Sequence, residues 1–253
     1  EGGLQHTRSC AADTGSIRQS DVFCSTGSIL LDSDQIRNAF AGNILAAHRV
    51  AGAFFSRDEA KRAGKLLACW PEGGDEALAR ILSLHASTRE RLPLAQMDAL
   101  YARLFSLCGR PARVLDLACG LNPIYLAARG VSALGLDAHL GAVALVNRFA
   151  AQNGLDTRAE GVDLREGSLP SERFDLALAF KLLPLLGAEG MSLLERVPAA
   201  HVAVSFPTRT LSGRAVGMER HYSQAFEANC PNKYAIEARF VAGSELIYVL
   251  KER

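Results

Sequence analysis

Two different spacings of apolar residues divide the chain near residue 110. Over residues 33–109 the apolar positions recur at intervals of three and four, which predicts four helices. Over residues 110–253 apolar runs of strand length alternate with helical stretches, a pattern typical of βαβ units in a parallel sheet. Residues 1–32 are rich in Ser, Thr and Gly with little periodicity, so we expect a loosely ordered segment there. The chain should therefore carry a helical N-terminal domain followed by an α/β domain.

The α/β part contains enough strand-length runs for a sheet of seven strands. Strands are predicted over residues 112–117, 132–136, 157–161, 174–180, 200–206, 234–241 and 244–250. The third and fourth helices of the N-terminal domain are predicted over residues 76–87 and 93–108, and later helices over 123–129, 141–153, 187–196 and 215–228. Ala242 and Gly243 join the last two strands as a hairpin, so this pair should be antiparallel and lie at one edge. The expected fold is a mostly parallel, Rossmann-like sheet with a terminal antiparallel hairpin.

The composition excludes several classes of protein. The chain is 49% hydrophobic and 22% charged with a net charge of +1, which is ordinary for a soluble domain. We see neither an apolar run of the roughly 18–20 residues that span a bilayer nor a signal-peptide pattern, so we expect a cytoplasmic protein. The six cysteines form no C-x-x-C pair and have no histidine at zinc spacing, so we expect reduced thiols and no metal. Nothing in the sequence requires more than a monomer.

Charge is distributed unevenly along the chain. Residues 34–113 carry a net charge of +4, whereas residues 114–253 carry −1 and residues 1–33 carry −2. Phosphate contacts need Lys and Arg, so the positive segment can face a polyanion such as RNA. A solvated helical surface explains the same count equally well.

The segment VLDLACGLNP, at residues 114–123, is the most informative part of the chain. A buried strand ends there in a small-residue turn at Ala118, Cys119 and Gly120, and Asp137 closes the next predicted strand. A strand, a glycine turn and an acid after the next strand hold an adenosine-containing cofactor, with the acid accepting from the ribose hydroxyls. One glycine in place of three suits S-adenosylmethionine (SAM), which has no pyrophosphate. The alternatives are an ordinary buried turn and a helix N-cap at Asp137.

Other polar residues fall at strand ends, where the ligand crevice of an open α/β sheet lies. Asp163 follows the third strand and can accept from an adenine amine beside Leu164, or it is a surface acid. Asp116 lies within the first strand, where it either orders the turn or faces the ammonium of the cofactor. Lys181 is unusual in the apolar run FKLLPLL, which also lacks the Asn-Pro-Pro-Tyr type of motif that serves amine nucleophiles.

Two further segments combine small and basic residues. LHASTRERL, at residues 84–92, is either a capped helix end or part of a site. SFPTRTLSGRAVGMERHY, at residues 205–222, is a basic loop with Arg209, Arg214 and Arg220. Such a loop over the crevice can hold a phosphate backbone or act as a lid, and a plain solvated connection is the alternative.

Together the segments LSLHASTRERL, VLDLACGLNP, FKLLPLL, SFPTRTLSGR and GMExxY resemble the aminoglycoside-resistance 16S ribosomal RNA methyltransferases. The resemblance runs from about residue 45 to the C-terminus. Enzymes of this family transfer the SAM methyl group to N7 of guanine 1405 in the decoding site of the assembled 30S subunit. The resemblance implies this activity, the resistance that follows from it, and direct transfer to the N7 lone pair without a general base.

The resemblance also implies roles for individual residues. Arg91 is expected to face the SAM carboxylate. The expected cofactor-binding set is Phe54, His85, Ala86, Ser87, Arg91, Ala118, Gly120, Asp137, Asp163, Leu164, Phe180 and Glu189. Target positioning is expected from Arg209, Arg214 and Met218, and RNA binding from Lys61, Arg62, Lys65, Arg214 and Arg220.

The N-terminus departs from the family pattern. Relatives begin with a basic helical segment that helps them dock on the small subunit, whereas residues 1–32 here are net negative. Either this start is aberrant or docking relies on Lys61, Arg62 and Lys65. Two other functions stay open on the residues alone. One is a SAM-dependent methyltransferase of small molecules, and the other is a non-catalytic RNA-binding factor on the same fold.

Overall fold

A computed structural model describes residue 63 and residues 65–187, 189–208 and 218–253. Within these residues the helices are α1 (Gly74–Leu82), α2 (Ala86–Arg89), α3 (Leu94–Cys108), α4 (Asn122–Ala128), α5 (Leu140–Asn153), α6 (Leu183–Leu186), α7 (Glu189–Arg196) and α8 (Met218–Asn229). The strands are β1 (Arg113–Leu117), β2 (Ser132–Asp137), β3 (Thr157–Gly161), β4 (Phe174–Phe180), β5 (Ala199–Pro207), β6 (Tyr234–Ala242) and β7 (Glu245–Glu252). The segment predicted over residues 1–32 and most of the first two predicted helices lie outside the described residues.

The strands form one sheet in the order β3-β2-β1-β4-β5-β7-β6. Strands β1 to β5 run parallel, and β7 runs antiparallel to both β5 and β6. The mostly parallel sheet and the terminal antiparallel hairpin are thus confirmed. The chain builds outward from β1 to β3 and then returns to place β4 on the other side of β1. Ligands bind at such a switch point, beyond the carboxyl ends of the strands.

Both faces of the sheet are covered, as continuous apolar strands require. Successive side chains of a strand point to opposite faces. Val114 packs into a core with Met97 of α3 and Phe149 of α5. Its neighbour Leu115 packs into a second core with Leu193 of α7 and Phe226 of α8. The described helices that precede β1 thus share a hydrophobic core with one face of the sheet.

The helix predicted over residues 76–87 is interrupted, and the prediction of one continuous helix is wrong. Helix α1 ends at Leu82, and the backbone of His85 is extended, with φ −108° and ψ 131°. The Thr88 hydroxyl donates to the carbonyl oxygens of Leu82 and His85, at 2.5 and 3.1 Å. Such side-chain bonds to the backbone compete with the helical hydrogen-bond pattern. The chain therefore turns at His85 and begins the short helix α2.

Polar contacts centred on Arg129 join the helical segment to the α/β part. Nη1 and Nε of Arg129 bind Asp75 of α1 and Asp98 of α3, at 2.7 and 2.9 Å. The Tyr125 hydroxyl of α4 donates to the same Asp98 carboxylate at 2.7 Å. The hydrogen bond from Arg129 lowers the pKa of Asp98. These contacts, together with the shared core, fix α1 and α3 against α4 and one face of the sheet. In the described part of the chain, no helix is long and apolar enough to span a bilayer.

Candidate functional site

A crevice opens where β1 to β4 end, and the loop around α2 closes one side of it. Eight of the residues expected to bind the cofactor line this crevice: His85, Ser87, Arg91, Ala118, Asp137, Asp163, Leu164 and Phe180. They come from five separate parts of the chain. The fold thus brings together most of the set that the sequence motifs predict.

The glycine turn is held by the acid at the end of the next strand. Asp137 accepts from the backbone N–H of Gly120 through Oδ2 and from that of His139 through Oδ1, both at 2.7 Å. Gly120 has φ +52°, and a Cβ atom there would lie 2.5 Å from Cε1 of His85. Burial raises the pKa of Asp137, while its two backbone hydrogen bonds oppose that shift. The carboxylate therefore shapes the turn and still faces the crevice.

A second buried carboxyl group lies beneath the turn. Asp116 of β1 accepts from Nδ2 of Asn122 at 2.7 Å, and Asn122 in turn accepts from the Tyr101 hydroxyl at 2.8 Å. Burial raises the pKa of Asp116 to about 7, and Asn122 and Arg91 act in the opposite direction. Asp116 also lines the crevice. A carboxyl group in this position can both order the turn and receive a cationic group of a ligand.

Arg91 reaches the crevice, but a carboxylate from the far end of the chain holds it. Its Nε and Nη2 donate to Oε1 and Oε2 of Glu245 at 2.7 and 3.1 Å, and its guanidinium lies 4.6 Å from the centre of the Phe180 ring. Glu245 carried no motif signal in the sequence. Ser205, which opens the SFPTRTLSGR segment, donates its hydroxyl hydrogen to Glu245 at 2.5 Å. Lys181 also lines the crevice and pairs with Glu90.

Among the expected cofactor residues that the structure describes, three do not line the crevice. Gly120 contributes its backbone to the turn, and Ala86 begins α2. Glu189 begins α7, with its carboxylate 3.7 Å from Nε of Arg165. Arg165 does line the crevice, although no motif in the sequence points to it.

The expected RNA-facing residues lie largely outside the described part of the chain. The basic residues outside it are Lys61, Arg62, Arg209 and Arg214. Phe54, which is expected to bind the cofactor, also lies outside the described residues. Met218 is the first residue of α8. Lys65 and Arg220 are described, and both side chains are exposed.

Within the described residues no group of three metal-ligating side chains is close enough to hold a metal ion.

The chemistry of the crevice fits SAM. The turn before Gly120 presents Ala118 and Cys119 to the crevice, and Asp137 has the acceptor oxygens that a ribose needs. Arg91 and Asp116 offer one cation and one carboxyl group, which match the carboxylate and ammonium of an amino acid. Apolar side chains form much of the remaining wall, including Leu164, Phe180, Leu182 and Leu186.

Known proteins resemble this chain over most of its length. A family model described as ribosomal RNA methyltransferase (FmrO) matches residues 39–249. A 16S rRNA (guanine(1405)-N(7))-methyltransferase of Serratia marcescens is 42% identical over 210 residues, which are 81% of this chain and 80% of that protein. A protein of the same description from Micromonospora echinospora is 34% identical, covering 81% of this chain and 79% of that protein.

Solved structures agree with these relatives. The 16S rRNA methyltransferase RmtF in complex with S-adenosyl-L-homocysteine has a TM-score of 0.77 and 43% identity, covering 87% of this chain and 91% of that chain. The 16S rRNA methylase RmtB has a TM-score of 0.69 and 33% identity, covering 87% and 98%. The family resemblance predicted from the motifs is thereby confirmed. The chain belongs to the FmrO family of ribosomal RNA methyltransferases.

Proposed function

We propose that this protein transfers the methyl group of SAM to N7 of guanine 1405 in 16S rRNA, acting on the assembled 30S subunit. One observation carries the proposal. The crevice has a glycine turn bound to the Asp137 carboxylate, in a chain 42% identical to a methyltransferase named for this reaction. The protein would act as a cytoplasmic monomer, and resistance to aminoglycosides that bind the decoding site would follow.

The cofactor would be held at three points. Asp137 would accept from the ribose hydroxyls, and Asp163 from the adenine amine beside Leu164. Arg91 would face the carboxylate of the cofactor and Asp116 its ammonium. When bound, SAM supplies a methyl group on a positively charged sulfur. The crevice residues have to orient this group toward the base and exclude water.

The target atom needs no activation by a base. Guanine N7 carries a lone pair in the plane of the ring and is unprotonated at neutral pH, so no proton has to leave before transfer. Catalysis then rests on holding two reactants in line, which can supply roughly 7–11 kcal/mol. The apolar wall at Phe180, Leu182 and Leu185 suits this task, since it lines the crevice with groups that do not compete for the methyl group.

The guanine has to leave its stack to reach the cofactor, at a cost on the order of a few kcal/mol. Contacts between cationic side chains and RNA phosphates can offset this cost. We assign these contacts to Lys65 and Arg220, which are exposed, and to Lys61, Arg62, Arg209 and Arg214. Met218 would lie close to the target base.

The test is methyl transfer from radiolabelled SAM to purified 30S subunits, with free 16S RNA in parallel and mapping of the labelled base. We expect label on N7 of guanine 1405 in 30S subunits and little on free RNA. The variant Asp137→Asn should bind SAM more weakly and label 30S subunits correspondingly less at the same SAM concentration. SAM binding without transfer to 30S subunits would argue for a small-molecule substrate. Absence of SAM binding would argue for a non-catalytic RNA-binding factor.

A further inference from the structure

Glu245 is a buried carboxylate that the proposed cofactor contacts leave unexplained. It opens β7, directly after the hairpin turn, and is 2% exposed. It accepts from Arg91 through both oxygens and from the hydroxyl of Ser205. Nζ of Lys181 lies 3.5 Å from its Oε1. Burial acts to raise the pKa of Glu245, but the Arg91 and Lys181 cations lower it below its ordinary value. Glu245 is thus a fixed anion between two cations that both line the crevice.

Lys181 is held at its backbone as well as at its side chain. Its φ is +55°, in the left-handed region that is strained for a residue other than glycine. Its backbone N–H donates to both the carbonyl oxygen and the hydroxyl of Ser205, each at 3.0 Å. Its ammonium pairs with Glu90, and the side chain is 17% exposed. Strained residues of this kind persist where the surroundings fix them, and they cluster at functional sites. Ser205, Glu90 and Glu245 therefore fix where the ammonium points.

The Lys181 ammonium suits the O6 acceptor of guanine. An ammonium carries three hydrogens, so the two carboxylates beside Lys181 leave one for a ligand in the crevice. Guanine presents O6 next to N7 as a second acceptor on the same edge, whereas adenine presents an amino donor there. We propose that Glu245 and Ser205 position the Lys181 ammonium to donate to O6 of the target guanine, so that Lys181 sets base specificity. This inference rests on the function proposed above.

The surrounding charges are consistent with the reaction. Methylation at N7 leaves the base positively charged, and an isolated lysine beside it would oppose that change. Here Glu90 and Glu245 balance the charges of Lys181 and Arg91. The lysine can therefore give a directional hydrogen bond without adding net positive charge beside the base.

The experiment compares 30S subunits reconstituted with guanine or with 2-aminopurine at the target position. 2-Aminopurine keeps N7 and lacks O6. We expect the wild-type protein to prefer guanine by about 10–150-fold in kcat/KM, the range for a hydrogen bond to a charged group. The variant Lys181→Met should methylate both bases at the same low rate. Its Kd for SAM, measured by calorimetry, should match that of the wild type.

Two further variants complete the test. Lys251→Met removes an exposed lysine of β7 that pairs with Glu237 at 3.4 Å, and it should keep the full preference for guanine. Ser205→Ala keeps Lys181 but removes the hydroxyl that contacts both Lys181 and Glu245. It should reduce the preference less than Lys181→Met does, by about 2–12-fold, because the pairs with Glu90 and Glu245 still hold the ammonium.

The outcomes separate this inference from the function on which it rests. If the wild-type protein labels guanine and 2-aminopurine equally, the proposed function stands and the role of Lys181 is overturned. The role is also overturned if Lys181→Met keeps the preference, or if it loses SAM binding. If the wild-type protein labels neither base in 30S subunits, both the proposed function and this inference fail.

Discussion

Replacing Asp137 by Asn tests how the crevice holds its cofactor. The Asp137 carboxylate accepts two backbone hydrogen bonds, from Gly120 and His139, both at 2.7 Å. An amide of the same shape has one acceptor oxygen, so one N–H loses its partner and faces an NH₂ group instead. The turn and the proposed ribose contact should both be impaired.

The loss of SAM affinity can be sized from one hydrogen bond to the charged Asp137 carboxylate. A hydrogen bond to a charged group contributes about 1.5–3 kcal/mol, and each 1.4 kcal/mol changes an equilibrium constant tenfold. We therefore expect the Kd for SAM to rise by about 10–150-fold. The free energy of unfolding should change far less, by about 1 kcal/mol or below. Burial disfavours the charged form of Asp137, as its raised pKa indicates. The variant removes this unfavourable charge along with the hydrogen bond, so the two effects on the free energy of unfolding partly cancel.

Isothermal titration calorimetry with SAM measures the first quantity, and urea unfolding without cofactor measures the second. Asp156→Asn is a matched control, because Asp156 is exposed and contacts Ser132 away from the crevice. It should bind SAM as the wild type does. A Kd for Asp137→Asn within twofold of the wild type, with an unchanged unfolding curve, would refute the assignment of Asp137 to the cofactor.

Three other predictions concern groups around the same turn. Burial raises the pKa of Asp116 to about 7, so the folded protein binds a proton that the unfolded chain releases near pH 4. The stability of the cofactor-free protein should therefore fall as the pH rises from about 4 to 7, and Asp116→Asn should flatten this slope in guanidinium unfolding curves. Gly120→Ala should lower the free energy of unfolding by roughly 1–3 kcal/mol and weaken SAM binding. The reason is that Gly120 has φ +52° and the new Cβ would meet the His85 ring. An unchanged Tm would contradict this prediction. Tyr101→Phe leaves Asn122 without its donor and should cost about 1–3 kcal/mol in urea unfolding, and a neutral effect would show that this bond is replaced.

The sequence located the elements of the sheet and part of the site. Strands β1, β2 and β4 are nearly continuous apolar runs, a pattern that depends on neighbouring positions alone. Gly120 and Asp137 were found from their place in one βαβ unit, where a short crossover makes the two strands neighbours. The recurring motifs then supplied the family. In each case the signal is local along the chain, so no knowledge of distant contacts was needed.

Local signals failed where a side chain changes the backbone. The helix predicted over residues 76–87 has suitable apolar spacing, yet it ends at Leu82 because the Thr88 hydroxyl binds the Leu82 and His85 carbonyls. Helix propensity does not report such a bond in advance. The interruption is what places the His85 ring against the glycine turn.

Tertiary structure alone decided which charges meet. Arg91 and Glu245 are 154 positions apart, and nothing in the sequence of either segment selects the other among the 27 acidic residues of the chain. They meet because β7 inserts antiparallel beside β5, which brings the start of β7 to the carboxyl end of the parallel strands. Sequence patterns report which face of an element is apolar. The partner of a buried charge depends on how distant elements pack, and that is determined by the fold as a whole.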